Sequence, residues 1–373
     1  MPNEGQPNRL VSLDAFRGLT IASMILVNNP GSGDVYAQLD HAAWNGWTFT
    51  DTVFPFFLWI VGLSIVLSTA KRLEHGVPRG ELPGRILRRA LLLYAFGFFL
   101  AGFPFFHLAH IRYLGVLQRI AICYLVSAAL FVFTNWKAQA AAVVVLCASY
   151  WLLMMEYPVP GVGKGQLGPD GNLARYIDGL VLSGHMWSHT QYWDPEGIVS
   201  TLPAIATTLL GCLAGRLLRF QLELRKSLKP LFLFGLSLVA VGMLFDHWLP
   251  INKNLWTVSF AFFMSGLATL EFWMLFWIVD VKGWRGWSKP FVIYGMNAIA
   301  VFVLSGIVGR LLGLIHVTES NGTAVSLQGF IFEHVFAPVA SPRNASLLFA
   351  FAMVLFLFAI AWLLYRRCRF LRV

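Results

Sequence analysis

The stretch HAAWNGWTFTDTVFPFFLWIVG, residues 41–62, places polar side chains directly before an apolar run. Its first half contains a histidine, two tryptophans, an asparagine and an aspartate. From residue 53 the chain stays apolar long enough to enter a bilayer, whose hydrocarbon core of about 30 Å needs about 20 apolar residues per helix. The stretch therefore predicts a membrane-spanning helix with ionisable side chains at its entrance.

The same apolar pattern recurs along the chain. Apolar residues make up 57% of the 373 residues and charged residues only 12%, whereas soluble domains carry about 25% charged residues. Ten runs are long enough to span a membrane: 13–29, 53–69, 86–106, 113–134, 138–155, 199–218, 228–249, 255–279, 291–314 and 345–365. We therefore predict an all-α polytopic membrane bundle with about ten transmembrane helices, in which residues 1–373 form a single transmembrane domain. The first run carries Asp14 and Arg17 at its entry, so we expect it to remain as an anchor and not to be cleaved.

Lysine and arginine are unevenly distributed among the predicted loops. With the N-terminus placed in the cytoplasm, 20 of the 28 basic residues fall on the inside or at the inner ends of the runs, five on the outside, and three (Arg17, Arg119 and Arg310) within spans. Basic residues concentrate in cytoplasmic loops of membrane proteins, so both termini are predicted to be cytoplasmic. The net charge of +10 is then a topology signal and does not indicate nucleic-acid binding.

The predicted topology places most of the reactive side chains on the non-cytoplasmic side. Eight of the nine histidines lie there: His41, His107, His110, His185, His189, His247, His316 and His334. The longest connection, residues 156–198, is rich in Gly, Pro, His, Trp and Tyr, and loops of this length are usually functional or disordered. Its aromatic content favours an ordered outer loop, which we interpret as a lid.

Asparagine, histidine and aspartate surround the first outer loop. Asn28 and Asn29 end the first run, and an asparagine amide can donate to a developing oxyanion. His41 is a candidate general base or acyl acceptor. Asp51 is a candidate either for capping the next helix or for orienting the imidazole.

Further ionisable or amide side chains lie in spans or at their outer ends. Asp14 and Arg17 are three residues apart and can pair on one helix face, as a structural ion pair or as part of a site. Gln118 and Arg119 lie deeper, where an arginine needs a cavity or an anion, so they are candidates for binding a phosphate or pantetheine group. The remaining candidates are Asp194, Glu196, Lys253, Asn254 and Asn297.

The sequence contains no motif for metal-dependent, serine-hydrolase or ATPase chemistry. It contains no HExxH, CxxC, EF-hand, GxSxG or P-loop pattern, so no metal is predicted. The four cysteines show no paired spacing and are interpreted as packing residues.

Six segments together resemble one known family: RLVSLDAFRGLTIASMILVNNPG, HAAWNGWTFTDTVFPFFLWIVGLSI, YLGVLQRIAICY, YWDPEGIVSTLPAIATTLLGCLAG, LPINKNLWTVSF and YGMNAIAVF. In this order they are similar to the motifs of the heparan-alpha-glucosaminide N-acetyltransferase family of transmembrane acyltransferases. The resemblance extends from about residue 9 to beyond residue 301. The chain lacks the long luminal extension and extra first span of the eukaryotic member, so we expect a bacterial, inner-membrane relative.

The resemblance implies acetyl transfer from cytoplasmic acetyl-CoA, across the membrane, to an amine of a glycan. It matches His41 to the family's active-site histidine and Asp51 to the aspartate that opens the FPFF helix. Asn28 matches the asparagine of the first-helix motif, with Asn29 as the alternative. Trp44 and Asn45, in the same loop motif, are candidates for binding substrate. The expected partners are acetyl-CoA, an amino-sugar acceptor and the bilayer, with a homodimer among the expected assemblies.

Two other classes of function compete with acetyl transfer. A transporter or lipid-glycan flippase would use the same polar groups as a pathway, and inverted repeats or broken helices would favour it. The sequence shows neither clearly. A structural membrane protein without a substrate leaves the histidine, asparagine and aspartate of the first outer loop unexplained.

The distribution of basic residues predicts which loops are accessible. A cysteine replacing Gly168 should react with an impermeant reagent on intact cells, and one replacing Arg225 should react only after permeabilisation. The reverse pattern would contradict the predicted orientation.

Overall fold

The computed structural model describes residues 10–190, 192–219, 224–319 and 322–370. The α-helices in these ranges are α1 (Val11–Asn28), α2 (Phe49–Glu74), α3 (Leu82–Gly102), α4 (Val116–Phe133), α5 (Trp136–Glu156), α6 (Leu173–Val181), α7 (Thr201–Arg219), α8 (Leu228–Phe245), α9 (Val258–Phe276), α10 (Lys289–Met296), α11 (Ala298–Leu314), α12 (Leu327–Ile331) and α13 (Pro342–Arg366). A short antiparallel hairpin of β1 (His316–Thr318) and β2 (Ala324–Ser326) precedes α12.

All ten apolar runs lie on helices, so the prediction of an all-α polytopic membrane bundle is confirmed. In the part of the chain that the structure describes, eight helices are long and apolar enough to cross a membrane, and α10 with α11 forms a ninth, bent candidate. The remaining run, 86–106, corresponds to α3, which is 21 residues long. It carries three arginines in its first half, Arg85, Arg88 and Arg89.

The predicted span over residues 291–314 is helical but bent. The chain bends by 71° between the helices ending at Met296 and beginning at Ala298. Asn297 lies at the break, with φ −120° and ψ 31°, outside the helical region. Its side chain is buried. Asparagine favours such positions because its side chain competes with the helical backbone for hydrogen bonds.

Contacts divide the chain into two compact units. The first contains the described parts of 1–41, 48–53 and 275–372, and the second those of 42–47 and 54–274. The prediction that residues 1–373 act as one transmembrane domain stays a prediction.

In the first unit, α1 packs closely against α10 through glycine. A Cβ on Gly18 would lie 1.7 Å from the Phe291 carbonyl oxygen, and one on Gly295 would lie 2.0 Å from the Asp14 carbonyl oxygen. The start of α1 is fixed by Asp280, whose carboxylate accepts the backbone N–H groups of Val11 and Ser12 at 3.2 and 3.0 Å. These N–H groups have no partner inside the helix, so Asp280 supplies the missing acceptor.

In the second unit, glycines likewise bring α2 and α7 into backbone contact. A Cβ on Gly62 would lie 1.9 Å from the Thr208 carbonyl oxygen, and one on Gly211 would lie 2.2 Å from the Trp59 carbonyl oxygen. Small residues are common where membrane helices approach closely. α7 also packs against α4, α5 and α8, and this arrangement determines where the segment before α7 is held.

The connection over 156–198 contains regular structure. Val159 and Gly163 form an isolated β-bridge, and α6 begins at an Asn172 side chain that accepts the Arg175 N–H at 2.8 Å. The Asn172 amide donates to the Gly168 carbonyl at 2.8 Å. The role of the 156–198 connection as a lid stays a prediction.

The glycine contact between α2 and α7 predicts sensitivity to one added methyl group. Gly211→Ala should destabilise the protein by about 1–3 kcal/mol, because overpacking displaces backbone. The measurement is the thermal unfolding midpoint in detergent, followed by tryptophan fluorescence. Gly84→Ala is the matched control, since no atom lies within 4 Å of a Cβ there. Equal midpoints for the two variants would contradict this packing.

Candidate active site

The start of α2 places two polar side chains of the first unit together. Asp51 is the third residue of α2, and its Oδ2 accepts the Thr48 backbone N–H at 3.0 Å. This bond, from the N-cap backbone N–H to the side chain at the third helical position, is one of the two hydrogen bonds of a capping box. The other oxygen, Oδ1, lies 2.7 Å from Nδ1 of His41. The two roles considered for Asp51, capping and orienting the imidazole, are therefore divided between its two oxygens.

The two partners differ in exposure. The Asp51 side chain is 1% exposed and that of His41 is 49% exposed. A buried carboxylate that accepts Nδ1–H holds the imidazole in the tautomer whose lone pair is on Nε2. The arrangement suits a general base or nucleophile, because the reactive nitrogen is presented at a partly exposed position.

The two asparagines at the end of α1 are placed differently. Asn28 is the last residue of α1 and is exposed. Asn29 follows it and donates through its amide to the Ile25 carbonyl at 2.8 Å. Asn29 therefore closes the helix, and Asn28 is the more accessible amide of the pair.

Trp44 and Asn45 lie in the second unit and are fixed by hydrogen bonds. The indole N–H of Trp44 donates to the Leu167 carbonyl at 3.0 Å. The Asn45 amide oxygen accepts from the Asn252 amide at 3.1 Å. Lys253 and Asn254 follow Asn252 and are partly exposed. Asn252 belongs to the LPINKNLWTVSF segment and was not among the candidates from the sequence. It is the residue of this segment that holds Asn45.

Asp194 and Glu196 share one arginine. The Arg112 guanidinium donates to both carboxylate oxygens of Asp194, at 2.7 and 2.5 Å, and also to Glu196. The Asp194 and Glu196 side chains are buried. Burial lowers the pKa of Arg112, but the two carboxylates outweigh this and raise it. For Glu196, burial raises the pKa, but Arg112, Arg119 and Lys253 outweigh this and lower it.

A third carboxylate, Asp178 of α6, holds the backbone of the same segment. It accepts the N–H groups of Asp194 at 3.2 Å and Ile198 at 3.0 Å. Burial raises the pKa of Asp178 to about 6, although both N–H donors oppose the shift. A Cβ on Gly197 would lie 2.0 Å from Asp178 Oδ2, so the glycine of the WDPEG motif makes room for this carboxylate.

Arg119 and Gln118 are enclosed in the second unit. Arg119 donates through Nη2 to the Gly197 carbonyl at 3.2 Å and to the Ser200 hydroxyl. Its guanidinium lies 5.1 Å from the centre of the Trp256 ring. Nε and Nη1 have no hydrogen-bond partner among the described residues. Gln118 is packed beside Gly97, where a Cβ would lie 2.3 Å from its amide oxygen.

Asp14 and Arg17 form the expected pair, with 3.2 Å between Arg17 Nη1 and Asp14 Oδ1. Arg17 also donates to the Gly295 carbonyl at 3.4 Å, which links α1 to α10 near Asn297. No group of three or more potential metal ligands occurs among the described residues.

Sequence reasoning missed several residues that hydrogen-bond to the candidate residues or to the backbone beside them, one in the first unit and four in the second: Thr48, and Arg112, Asp178, Ser200 and Asn252. Arg112 is 82 residues from Asp194, so no local spacing links them. A signal was available, because Arg112 is one of few basic residues on the predicted outer side.

Comparison with known proteins identifies the class of this membrane protein. The family described as "Heparan-alpha-glucosaminide N-acetyltransferase, catalytic" matches residues 9–242, a range that includes His41, Asp51, Arg112 and Asp194. The human protein named heparan-alpha-glucosaminide N-acetyltransferase is 33% identical over 353 residues, covering 80% of this chain and 52% of the human protein. The mouse protein of the same name is 32% identical, covering 79% and 53%.

The chain therefore belongs to the heparan-alpha-glucosaminide N-acetyltransferase family, and it is an integral membrane protein. It spans about half the length of the curated relatives it matches.

The buried carboxylates around Arg112 predict a large effect of removing their cation. Arg112→Met leaves Asp194 and Glu196 without their main partner, and breaking a buried pair costs about 3–5 kcal/mol. Arg175→Met is the control, since its partner Asp170 is 94% exposed and exposed pairs contribute at most about 1 kcal/mol. The measurement is thermal unfolding together with limited proteolysis of the 156–198 segment. Similar losses in both variants would show that the buried network is not stabilising this segment.

Proposed function

We propose that this chain is a membrane-embedded acetyltransferase that moves an acetyl group from cytoplasmic acetyl-CoA to an amine of an amino sugar or related glycan on the non-cytoplasmic side. The observation that carries this proposal is the 2.7 Å contact between His41 Nδ1 and the buried carboxylate of Asp51. Membership of a family whose relatives are named as N-acetyltransferases supports it.

The chemistry needs a group that accepts a proton near neutral pH. As the acceptor amine attacks the thioester carbonyl, a C–N bond forms and the C–S bond breaks. His41 Nε2 takes the proton from the amine nitrogen, and the departing thiolate then takes this proton to give free CoA and the acetamide. Imidazole suits this role because it titrates near neutral pH, and Asp51 stabilises the imidazolium.

A two-step route uses the same residues. His41 Nε2 itself attacks the thioester and the C–S bond breaks, which gives acetyl-imidazolium and the CoA thiolate. The amine then attacks the acetyl carbon, its bond to Nε2 breaks, and the proton lost by the amine nitrogen goes to the thiolate. In either route an oxyanion develops on the carbonyl oxygen. Asn28, with Asn29 as the alternative, is proposed as its hydrogen-bond donor.

The remaining polar residues are proposed to bind the substrates. The exposure of Asn45 and the partial exposure of Lys253 and Asn254 support a role in acceptor binding. The other proposed binding residues are Trp44, Asp14, Arg17, Asp194, Glu196 and Asn297. Asp194 and Glu196 are both paired with Arg112. This pairing favours a role in supporting the binding site over direct contact with a substrate.

Arg119 and Gln118 are proposed to bind the donor. The two guanidinium nitrogens of Arg119 without acceptors support binding of a phosphate or pantetheine group. Because Arg119 is fully buried, donor binding would require the packing around Trp256 to open. We further propose a bacterial inner-membrane location and retain a homodimer as the proposed assembly.

One observation favours a second candidate, a glycan transporter or flippase. The span formed by α10 and α11 is broken at Asn297, and broken helices line substrate sites in many transporters. A transporter would move labelled glycan into proteoliposomes without acetyl-CoA and leave it chemically unchanged. The proposed enzyme would acetylate it.

The His41–Asp51 contact predicts how two variants behave. His41→Ala should abolish acetyl transfer, a loss of about 10²–10⁴-fold or more for removal of a general base, with acetyl-CoA binding and thermal stability nearly unchanged. Asp51→Asn should lower the rate without abolishing it. Transfer of radiolabel from acetyl-CoA to glucosamine measures both.

His110→Ala is the control, since His110 is an exposed histidine on the predicted outer side. Full activity in His41→Ala would show that the catalytic assignment is wrong. Rapid quenching with acetyl-CoA alone separates the two routes, because only the two-step route leaves an acetyl group on the wild-type protein that His41→Ala cannot carry.

A further inference from the structure

Thr48 joins the loop that carries His41 to the start of α2. Thr48 lies immediately before α2, and its hydroxyl donates to the backbone carbonyl of Asp40 at 2.5 Å. The same oxygen lies 3.1 Å from Oδ2 of Asp51. The backbone N–H of Thr48 donates to that carboxylate oxygen at 3.0 Å. One residue therefore contacts both the carboxylate that orients His41 and the residue that precedes it.

The carbonyl held by Thr48 belongs to the peptide group that joins Asp40 to His41. The nitrogen of this peptide group donates to Oδ1 of Asp40 at 2.8 Å. Both the C=O and the N–H of this peptide group are thus hydrogen-bonded, while the His41 ring contacts Asp51 at 2.7 Å. Without the hydroxyl, the Asp40 carbonyl loses this partner, and the peptide group that leads into His41 is held less firmly.

We propose that Thr48 is a positioning residue for the acetyl-transfer reaction, acting through His41 and Asp51 without touching either substrate. The assignment rests on the proposed function of His41. Its hydroxyl holds the peptide group that leads into His41, and its backbone N–H holds the carboxylate that contacts the imidazole. A catalytic group misplaced by about 1 Å loses about a hundredfold in rate, so the hydroxyl affects turnover more than substrate binding.

Thr48→Val tests the hydroxyl alone, because valine has nearly the same shape and keeps the backbone N–H. Thr48→Ser keeps the hydroxyl and should restore function. Thr52→Val is the matched control, since the Thr52 hydroxyl donates at 2.7 Å to the Phe49 carbonyl in the same first turns of α2. Each variant is purified as the full chain in detergent and compared with the wild type.

The first readout is steady-state acetyl transfer from acetyl-CoA to glucosamine. Thr48→Val should lower kcat by about tenfold to a hundredfold with the KM values and the unfolding midpoint unchanged. Thr48→Ser should be close to the wild type, and so should Thr52→Val. Unchanged kcat in Thr48→Val, or equal losses in Thr48→Ser or Thr52→Val, would overturn the proposal.

The second readout requires no acetyl transfer. In protein labelled with ¹⁵N-histidine, the His41 ring, assigned by its loss in His41→Ala, should show the Nδ1-protonated tautomer in the wild type and a mixture in Thr48→Val. Identical spectra would overturn the role of Thr48 even if the protein acetylates nothing. Conversely, a changed spectrum in a protein without acetyl transfer would support the positioning and contradict the proposed function, so the two failures are distinguishable.

Discussion

The carboxylate of Asp51 is buried at the entrance of α2, and a buried charge is costly unless hydrogen bonds compensate for it. The chain supplies these bonds from two directions, with the Thr48 N–H on one oxygen and the His41 ring on the other. The N-terminal end of a helix also favours a negative charge. Because one carboxylate bonds to the residue before the helix and to the histidine, the helix start, the preceding loop and the histidine are fixed together.

Carboxylates hold the starts of two other spans in comparable ways. In the first unit, Asp280 accepts the N–H groups of Val11 and Ser12 at the start of α1. In the second unit, Asp178 holds the segment before α7. Helix ends leave backbone groups without partners, and an acceptor distant in sequence fixes a helix end at one position. The arrangement stabilises the spans and places the side chains at their ends.

Much of the fold follows from the sequence because lipid imposes a simple rule. In lipid, a run of about 20 apolar residues must pair its backbone N–H and C=O groups with one another, so it becomes a helix. All ten runs lie on helices. The break at Asn297 did not follow, because one asparagine in an apolar run leaves the hydropathy pattern almost unchanged. The proximity of His41 and Asp51 was predictable, because His41 lies in a short loop directly before the helix that Asp51 begins. The pairing of Arg112 with Asp194 depends on how distant segments pack, which no local spacing reveals.

The central claim is that this membrane protein makes an amide bond at the His41–Asp51 pair. The most direct measurement is the fate of radiolabelled acetyl-CoA incubated with the purified wild-type protein and glucosamine. Label should appear in N-acetylglucosamine, together with one free CoA thiol for each acetyl group transferred. Recovery of unmodified glucosamine and intact acetyl-CoA, with glucosamine transported into proteoliposomes that contain the protein, would contradict it.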